Sequence, residues 1–357
     1  MLTSERADPN PFARWAVYAH KDDTGFGRQA SDIRSVLGFG HHLVIPSERL
    51  VDHSVDGITE FWLPADAPDD LVRLRLSSLD GIVFFERHAW HPHILSIAKE
   101  MGVATICVPN WEWFNRDAVE WQYCDLFACP THFTQKLLRS YGFTNSTFLP
   151  WPLDLSKLPH RLVEGPARHF IHNAGLVDVD DRKSTRDTIL AFTRMSNPDV
   201  RLTIRLQKEV PLPPFDNRVT VTVGNLDSVS DLYAIGDICV QPSKMEGIGF
   251  MVLEPACAGL PVITTDYPPM NEFIQQPELR CRPRWRKRKA YATQWIRQAH
   301  LKLPSIRDLV RRMEWAASTD LSAISTANRS WAESTFNPEV LQAAWAKALL
   351  PLATSRR

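Results

Sequence analysis

Two glutamates, Glu246 and Glu254, are separated by seven residues that include the glycines Gly247 and Gly249, within the run PSKMEGIGFMVLEPACAGLPVIT (242–264). A carboxylate accepts hydroxyl hydrogens well, and a glycine turn lets backbone amides approach a ligand closely. The apolar DICVQ (237–241) reads as a buried strand ending in this loop, with a short helix from Phe250 to Ala258 after it. Amides at Gly247, Ile248, Gly249 and Phe250, together with the positive helix end, suit a phosphate or an electron-rich sugar oxygen. Pro255 is expected in the first helical turn, where its missing N–H breaks no bond. Gly259 is expected to stop the helix in the left-handed conformation. On a single helix, positions eight apart would point about 80° away from each other. A loop-plus-helix arrangement instead lets the two acids flank different parts of one ligand.

Four further clusters carry chemical potential. Arg182 and Lys183 precede a helix expected from about Ser184 to Met195, with Ser184 or Thr185 as its cap. Cations at a helix start are unfavourable unless an anion lies there too. Gly25, Phe26 and Gly27 follow a strand, and Gly25, Gly27 and Ala30 also satisfy G-x-G-x-x-A, with Glu48 about 20 residues on, a dinucleotide fingerprint. Those glycines do not follow the strand at once, which weakens an NAD reading. Glu86 and His88 directly follow GIVFF, and Asn110 and Glu112 follow ATICVP, so both pairs belong at strand ends, where sites form. The same segments also read as packing aromatics with satisfied polar tips. Finally, residues 280–289 hold seven cations around Trp285, either a solvated loop or a patch for an anionic partner such as nucleic acid or a phospholipid surface.

The elements that position these groups alternate as parallel α/β units do. In the first half, strands are expected at 15–19, 42–45, 81–85, 104–108, 126–129 and 147–149, with helices at 28–37, 92–101 and 132–141. The proline-rich stretch 151–168 reads as a linker. Strands at 169–175, 200–206, 219–224, 237–241 and 261–265 restart the pattern, with a helix near Ser228–Ile235. From about 291 onward the spacing of Trp295, Ile296, Leu309, Val310 and Trp315 predicts helices.

Composition narrows the class. The 357 residues carry 41 Lys plus Arg against 41 Asp plus Glu, a net charge of zero. Binding nucleic acid by bulk charge is thereby disfavoured. Hydrophobic residues at 44% and charged residues at 23% are those of a globular chain. The N-terminal segment lacks a signal-like apolar core, and no run approaches the ~20 residues of a membrane span. The scattered cysteines (107, 124, 129, 239, 257, 281) read as reduced, buried thiols, with no metal site. A cytoplasmic protein, peripheral to the membrane if the basic run meets lipid, is the expectation.

Taken together, the pattern P-S-x-x-E-G-x-G-x-x-x-L-E-x-x-A-x-G-x-P-V-I, met by Pro242, Ser243, Glu246, Gly247, Gly249, Leu253, Glu254, Ala258, Gly259, Pro261, Val262 and Ile263, resembles the retaining family-4 (group 1) glycosyltransferases of the GT-B fold. The resemblance covers residues 165–350 well and the first half loosely. It implies two facing Rossmann-like, doubly wound α/β domains with a C-terminal helical tail: an acceptor domain (1–150), the linker, a nucleotide-sugar donor domain (169–335) and a helix (336–357) returning to the first domain. It implies metal-independent sugar transfer with retention, using a UDP- or GDP-sugar as co-substrate and no cofactor. Glu246 would sit at the sugar, Glu254 at the ribose, Ser243 and the 247–250 amides at sugar and diphosphate, and Gly25, Phe26 and Gly27 across the cleft. Relatives carry an arginine after the glycine equivalent to Gly175, where this chain has Leu176, so Arg182 or Arg205 is expected to join Lys183 at the diphosphate. Glu86, His88 and Glu112 would serve an acceptor hydroxyl, although relatives place a histidine where Asn110 or Glu112 stands. An epimerase or phosphorylase on the same fold, a non-catalytic binding protein and an NAD-dependent enzyme are the competing readings.

Overall fold

The computed structural model describes residues 10–22, 25–47, 57–86, 90–291 and 299–354. The chain divides into two units, Met1–Asp154 with Phe336–Arg357, and Leu155–Thr335.

The first unit runs β1 (Trp15–His20), α1 (Gly25–Leu37), β2 (His41–Ile45), β3 (Thr59–Trp62), α2 (Asp69–Leu76), β4 (Gly81–Phe85), α3 (Ile94–Glu100), β5 (Ala104–Val108), β6 (Leu126–Cys129), α4 (His132–Ser140) and β7 (Ser146–Phe148). Its seven-stranded sheet has the order β3-β2-β1-β4-β5-β6-β7, with every pairing parallel. β4 and β5 are buried at all five positions, because helices cover both faces of a parallel sheet. The strand order reverses between β1 and β4, so their C-terminal ends open the crevice where ligands bind in such sheets. Sequence spacing missed β3 and α2. β3 is an edge strand of four residues, TEFW, with no buried position. α2 has only Val72 and Leu76 buried, too few for a clear apolar period.

The second unit runs β8 (His169–Gly175), α5 (Thr185–Phe192), β9 (Arg201–Leu206), β10 (Val219–Val223), β11 (Ile238–Gln241), α6 (Phe250–Ala258), β12 (Val262–Thr265), β13 (Arg280–Cys281), β14 (Pro283–Tyr291), β15 (Ala299–Pro304), α7 (Ile306–Ser318) and α8 (Ser322–Thr335). Its six-stranded parallel sheet, β10-β9-β8-β11-β12-β13, reverses between β8 and β11. The chain then returns as α9 (Pro338–Thr354), which belongs to the first unit. There Gln342 donates to the Val36 carbonyl at the end of α1 (2.9 Å), and the Trp345 indole donates to the Pro150 carbonyl (3.0 Å). Two parallel Rossmann-like sheets with C-terminal helices are the GT-B class of fold expected from the sequence.

Several local expectations fail. The helix near Ser228–Ile235 is only a 3₁₀ turn, Ser230–Leu232. The basic run is not a loop but strands β13 and β14, and β15 pairs antiparallel with β14 before helix resumes at Ile306. Strongly cationic alternation masked the strand period there. Trp295 and Ile296 lie outside the described residues. Pro255 is the sixth residue of α6, in its second turn, not its first. Its ring nitrogen denies the Met251 carbonyl the usual i+4 donor, a cost that the packing of the buried residues 252–258 offsets. Gly259 does end α6, at φ 98°, where an added Cβ would lie 2.2 Å from the Arg161 carbonyl oxygen.

Candidate active site

Strand β11 delivers residues 242–249 to the C-terminal edge of the second sheet, and Ser243 through Gly249 are all buried there. Gly249 caps α6 in the left-handed region (φ 91°) with no side-chain cap. Unfilled by a side chain, this helix start keeps its positive end for a ligand.

Lys183 and Glu246, 63 positions apart, meet at the same edge: Lys183 Nζ lies 2.5 Å from Glu246 Oε1. Glu246 is 5% exposed. Burial pushes its carboxyl up, but the charges of Lys183 and Arg182 and the hydrogen bond from Lys183 outweigh that and hold it below the ordinary value. It is therefore an anion at neutral pH, clamped by cations. Arg182 supplies one of those charges, whereas Arg205 turns toward the 3₁₀ turn and donates to the Asp231 carbonyl (2.6 Å). Among the described residues, no contact joins Arg205 to Lys183 or Glu246. Of the two arginines, Arg182 is the one beside the pair.

Ser184 occupies the cap position of α5 at φ 59° but makes no side-chain cap. Asp181, itself at φ 47°, does that work: its carboxylate accepts the amides of Thr185 (2.8 Å) and Arg186 (2.9 Å). The anion demanded by a cationic helix start is thus partly internal. Lys244 ties this loop to β11, its Nζ donating to the Asp180 carbonyl (2.9 Å) and its amide to the Arg182 carbonyl (2.8 Å). His172 bridges the Val240 carbonyl (2.7 Å) and the Thr185 hydroxyl (3.0 Å). Burial brings its pKa down to about 4, so it is a neutral strut. Gly175 ends β8 at φ 61° in the same neighbourhood, with Leu176 largely exposed beyond it.

Glu254 is fully buried on α6, and its Oε2 accepts the Tyr233 hydroxyl at 2.6 Å. Sequence reasoning missed Tyr233, Asp181 and His172. Tyr233 stands 21 residues from the acid it serves, beyond any local spacing rule. Asp181 closes the acidic stretch VDVDD immediately before the basic pair, a signal that pointed to a cap.

In the first unit, Gly25, Phe26 and Gly27 form the first turn of α1, not a loop. A Cβ on Gly27 would lie 1.9 Å from the Asp22 carbonyl oxygen, so only glycine fits. Glu86 follows β4 at φ 43°, a strained conformation for a non-glycine residue. It is 2% exposed, and neither carboxylate oxygen has a hydrogen-bond partner among the described residues. Burial and, to a lesser extent, the nearby charge of Glu112 push its carboxyl well up. Glu86, Asn110 and Glu112 therefore form one buried group at the ends of β4 and β5. His88 lies outside the described residues. Among those residues, no group of three His, Cys, Asp or Glu is placed to hold a metal ion, and no helix is long and apolar enough to cross a membrane. All six cysteines are buried and free of disulfides.

Residues 182–296, all in the second unit, match the family described as glycosyl transferases group 1. The match spans about a third of the chain, and over that segment the chain is similar to group 1 glycosyl transferases. Among solved structures, a glycosyltransferase from Rickettsia africae aligns over 95% of this chain and 98% of its own at 11% identity, with a TM-score of 0.67. HepE from Anabaena, solved with UDP and glucose, aligns over 95% and 100% at 11% identity (TM-score 0.65). Sucrose-phosphate synthase from Thermosynechococcus elongatus aligns over 96% and 99% at 13% identity (TM-score 0.64). No curated protein matches the chain in sequence. At these identities the structural matches speak to fold, and the family match speaks to the unit that carries the glutamates.

Proposed function

We propose that this protein is a glycosyltransferase of the group 1, GT-B type that moves a sugar from a nucleotide-sugar donor held by the second unit to an acceptor hydroxyl, with retention at the anomeric carbon. The observation that carries the reading is the Lys183–Glu246 pair at the start of the uncapped α6 helix. Departure of a nucleoside diphosphate places negative charge on phosphate oxygens. Lys183, Arg182 and the amides of Gly247–Phe250 supply fixed positive charge for it, in place of a metal ion. Glu246 then orients the sugar and steadies its oxocarbenium-like state, while Glu254, braced by Tyr233, accepts the ribose hydroxyls. The leaving diphosphate oxygen takes the acceptor proton on the same face of the sugar. Ser243 and Gly175 complete the donor's surroundings in the second unit, and no further cofactor is needed.

Glu86 and Glu112 are assigned to the acceptor, since buried carboxyl groups at the C-terminal ends of β4 and β5 are placed to meet hydroxyl groups. UDP is the first nucleotide to test, because Anabaena HepE was solved with it. The reaction is placed in the cytoplasm, at the membrane surface if the acceptor is anionic and meets the basic strand. Screening UDP-, GDP- and ADP-sugars by calorimetry identifies the donor, and NMR coupling of the product's anomeric proton reads the stereochemistry. Binding of NAD with none of the nucleotide sugars would overturn the reading.

A further inference from the structure

A second cationic site lies at the other end of the donor unit's sheet. A cleft of about 410 Å³ opens where β8 and β9 begin, opposite the strand ends that carry Glu246. Arg161, Arg168, Arg201, His169, Asp199 and Asp237 line it, and the turn 234–236 forms one wall. Three guanidiniums therefore face two carboxylates.

One of those carboxylates is already committed. Asp237 Oδ2 accepts the amides of Arg168 and His169, both at 2.8 Å. Arg168 and Arg201 form no ion pair among the described residues, and both are exposed. Arg161 is held differently: its guanidinium donates to the Ala234 carbonyl and, at 2.9 Å, to the Gly236 carbonyl, fixing a cation in the cleft wall. His169 is buried, its Nε2 2.8 Å from the Thr203 hydroxyl. Burial, Arg201, Arg205 and Arg161 lower its pKa, with Asp237 alone opposing them. Three of the four charges acting on the ring are cationic. Guanidiniums bind phosphate oxygens through paired N–H donors, and their fixed charge suits a dianion.

We propose that this cleft binds a phosphate dianion, either inorganic phosphate or the phosphate of a small phosphomonoester, through Arg168 and Arg201 with Arg161 as the fixed third donor. The site is separate from the donor site and does not depend on the donor reading.

The test follows the His169 ring by NMR, assigned with a His169→Gln variant, in the full chain at constant ionic strength. Inorganic phosphate, glycerol phosphate and chloride are titrated in turn. Saturable shifts of His169 with phosphate or glycerol phosphate, a rise in its pKa, and at least a tenfold loss of affinity in Arg168→Gln/Arg201→Gln support the site. The tighter of the two phosphates identifies the source. Equal responses to chloride, no saturable response below 50 mM (about a −1.8 kcal/mol limit), or unchanged affinity in the folded double variant would overturn it. Binding confined to anionic vesicles, with no response to either soluble phosphate, would also overturn it.

Discussion

Replacing Lys183 by alanine isolates what the pair with Glu246 contributes. The wild-type carboxylate is 5% exposed and sits 2.5 Å from the ammonium. Breaking a buried pair from one side costs roughly 3–5 kcal/mol, and the partial exposure of Lys183 argues for the lower end, about 3 kcal/mol. That cost must depend on pH. In the wild type the folded pKa of Glu246 lies below its unfolded value of 4.5, so its stabilisation is present above that pH and is lost as pH falls through the folded pKa. In the variant burial dominates, the folded pKa rises above the unfolded one, and stability falls as pH rises past 4.5. The gap between the two proteins should therefore be about 3 kcal/mol at pH 7.5 and smaller at pH 4. Urea unfolding at both pH values measures it. A gap that is absent, or equal at both, would refute the clamped-anion account. Activity should fall about 30- to 1,000-fold in kcat/KM, as for removal of one stabiliser of a developing anion.

Other substitutions probe separate parts of the site. Glu254→Gln should weaken donor affinity about tenfold by calorimetry, because an amide accepts hydroxyls less well than a carboxylate. Tyr233→Phe strips a donor from that fully buried acid, and should lower stability by about 1.5–3 kcal/mol in urea while also weakening donor binding. Gly259→Ala meets both a left-handed φ and the Arg161 carbonyl, so a loss above about 2 kcal/mol is expected by the same assay. His172, with a folded pKa of about 4 against 6.5 unfolded, gives stability that is complete above pH 6.5 and is lost as pH falls toward 4. His172→Gln should flatten the wild-type stability curve across that window.

Burial explains which features were legible in the sequence. Strands such as GIVFF and ATICV are covered on both faces, so an apolar run alone marks them. The half-exposed β3 and the cationic β14 carry no such run, and their strand character comes from backbone pairing that composition does not encode. The donor motif was readable because its residues are contiguous: loop, glycine and helix occupy one stretch of chain. Lys183 was found from its place before a helix, but its contact with Glu246 depends on β8 and β11 lying side by side. Tyr233 and the choice of Arg182 over Arg205 are likewise facts of tertiary packing. Pro255 broke a sound local rule, because tertiary packing of the buried residues 252–258 offsets the lost hydrogen bond.

Acceptor-dependent release of nucleotide from the preferred sugar donor, measured side by side for the wild type and Glu246→Gln, tests the central claim most directly. The Lys183-clamped Glu246 should make kcat fall at least a hundredfold in the variant while the fold, by circular dichroism, and the nucleotide affinity are kept. Equal turnover by the two proteins would contradict the assignment of Glu246 to the reacting sugar.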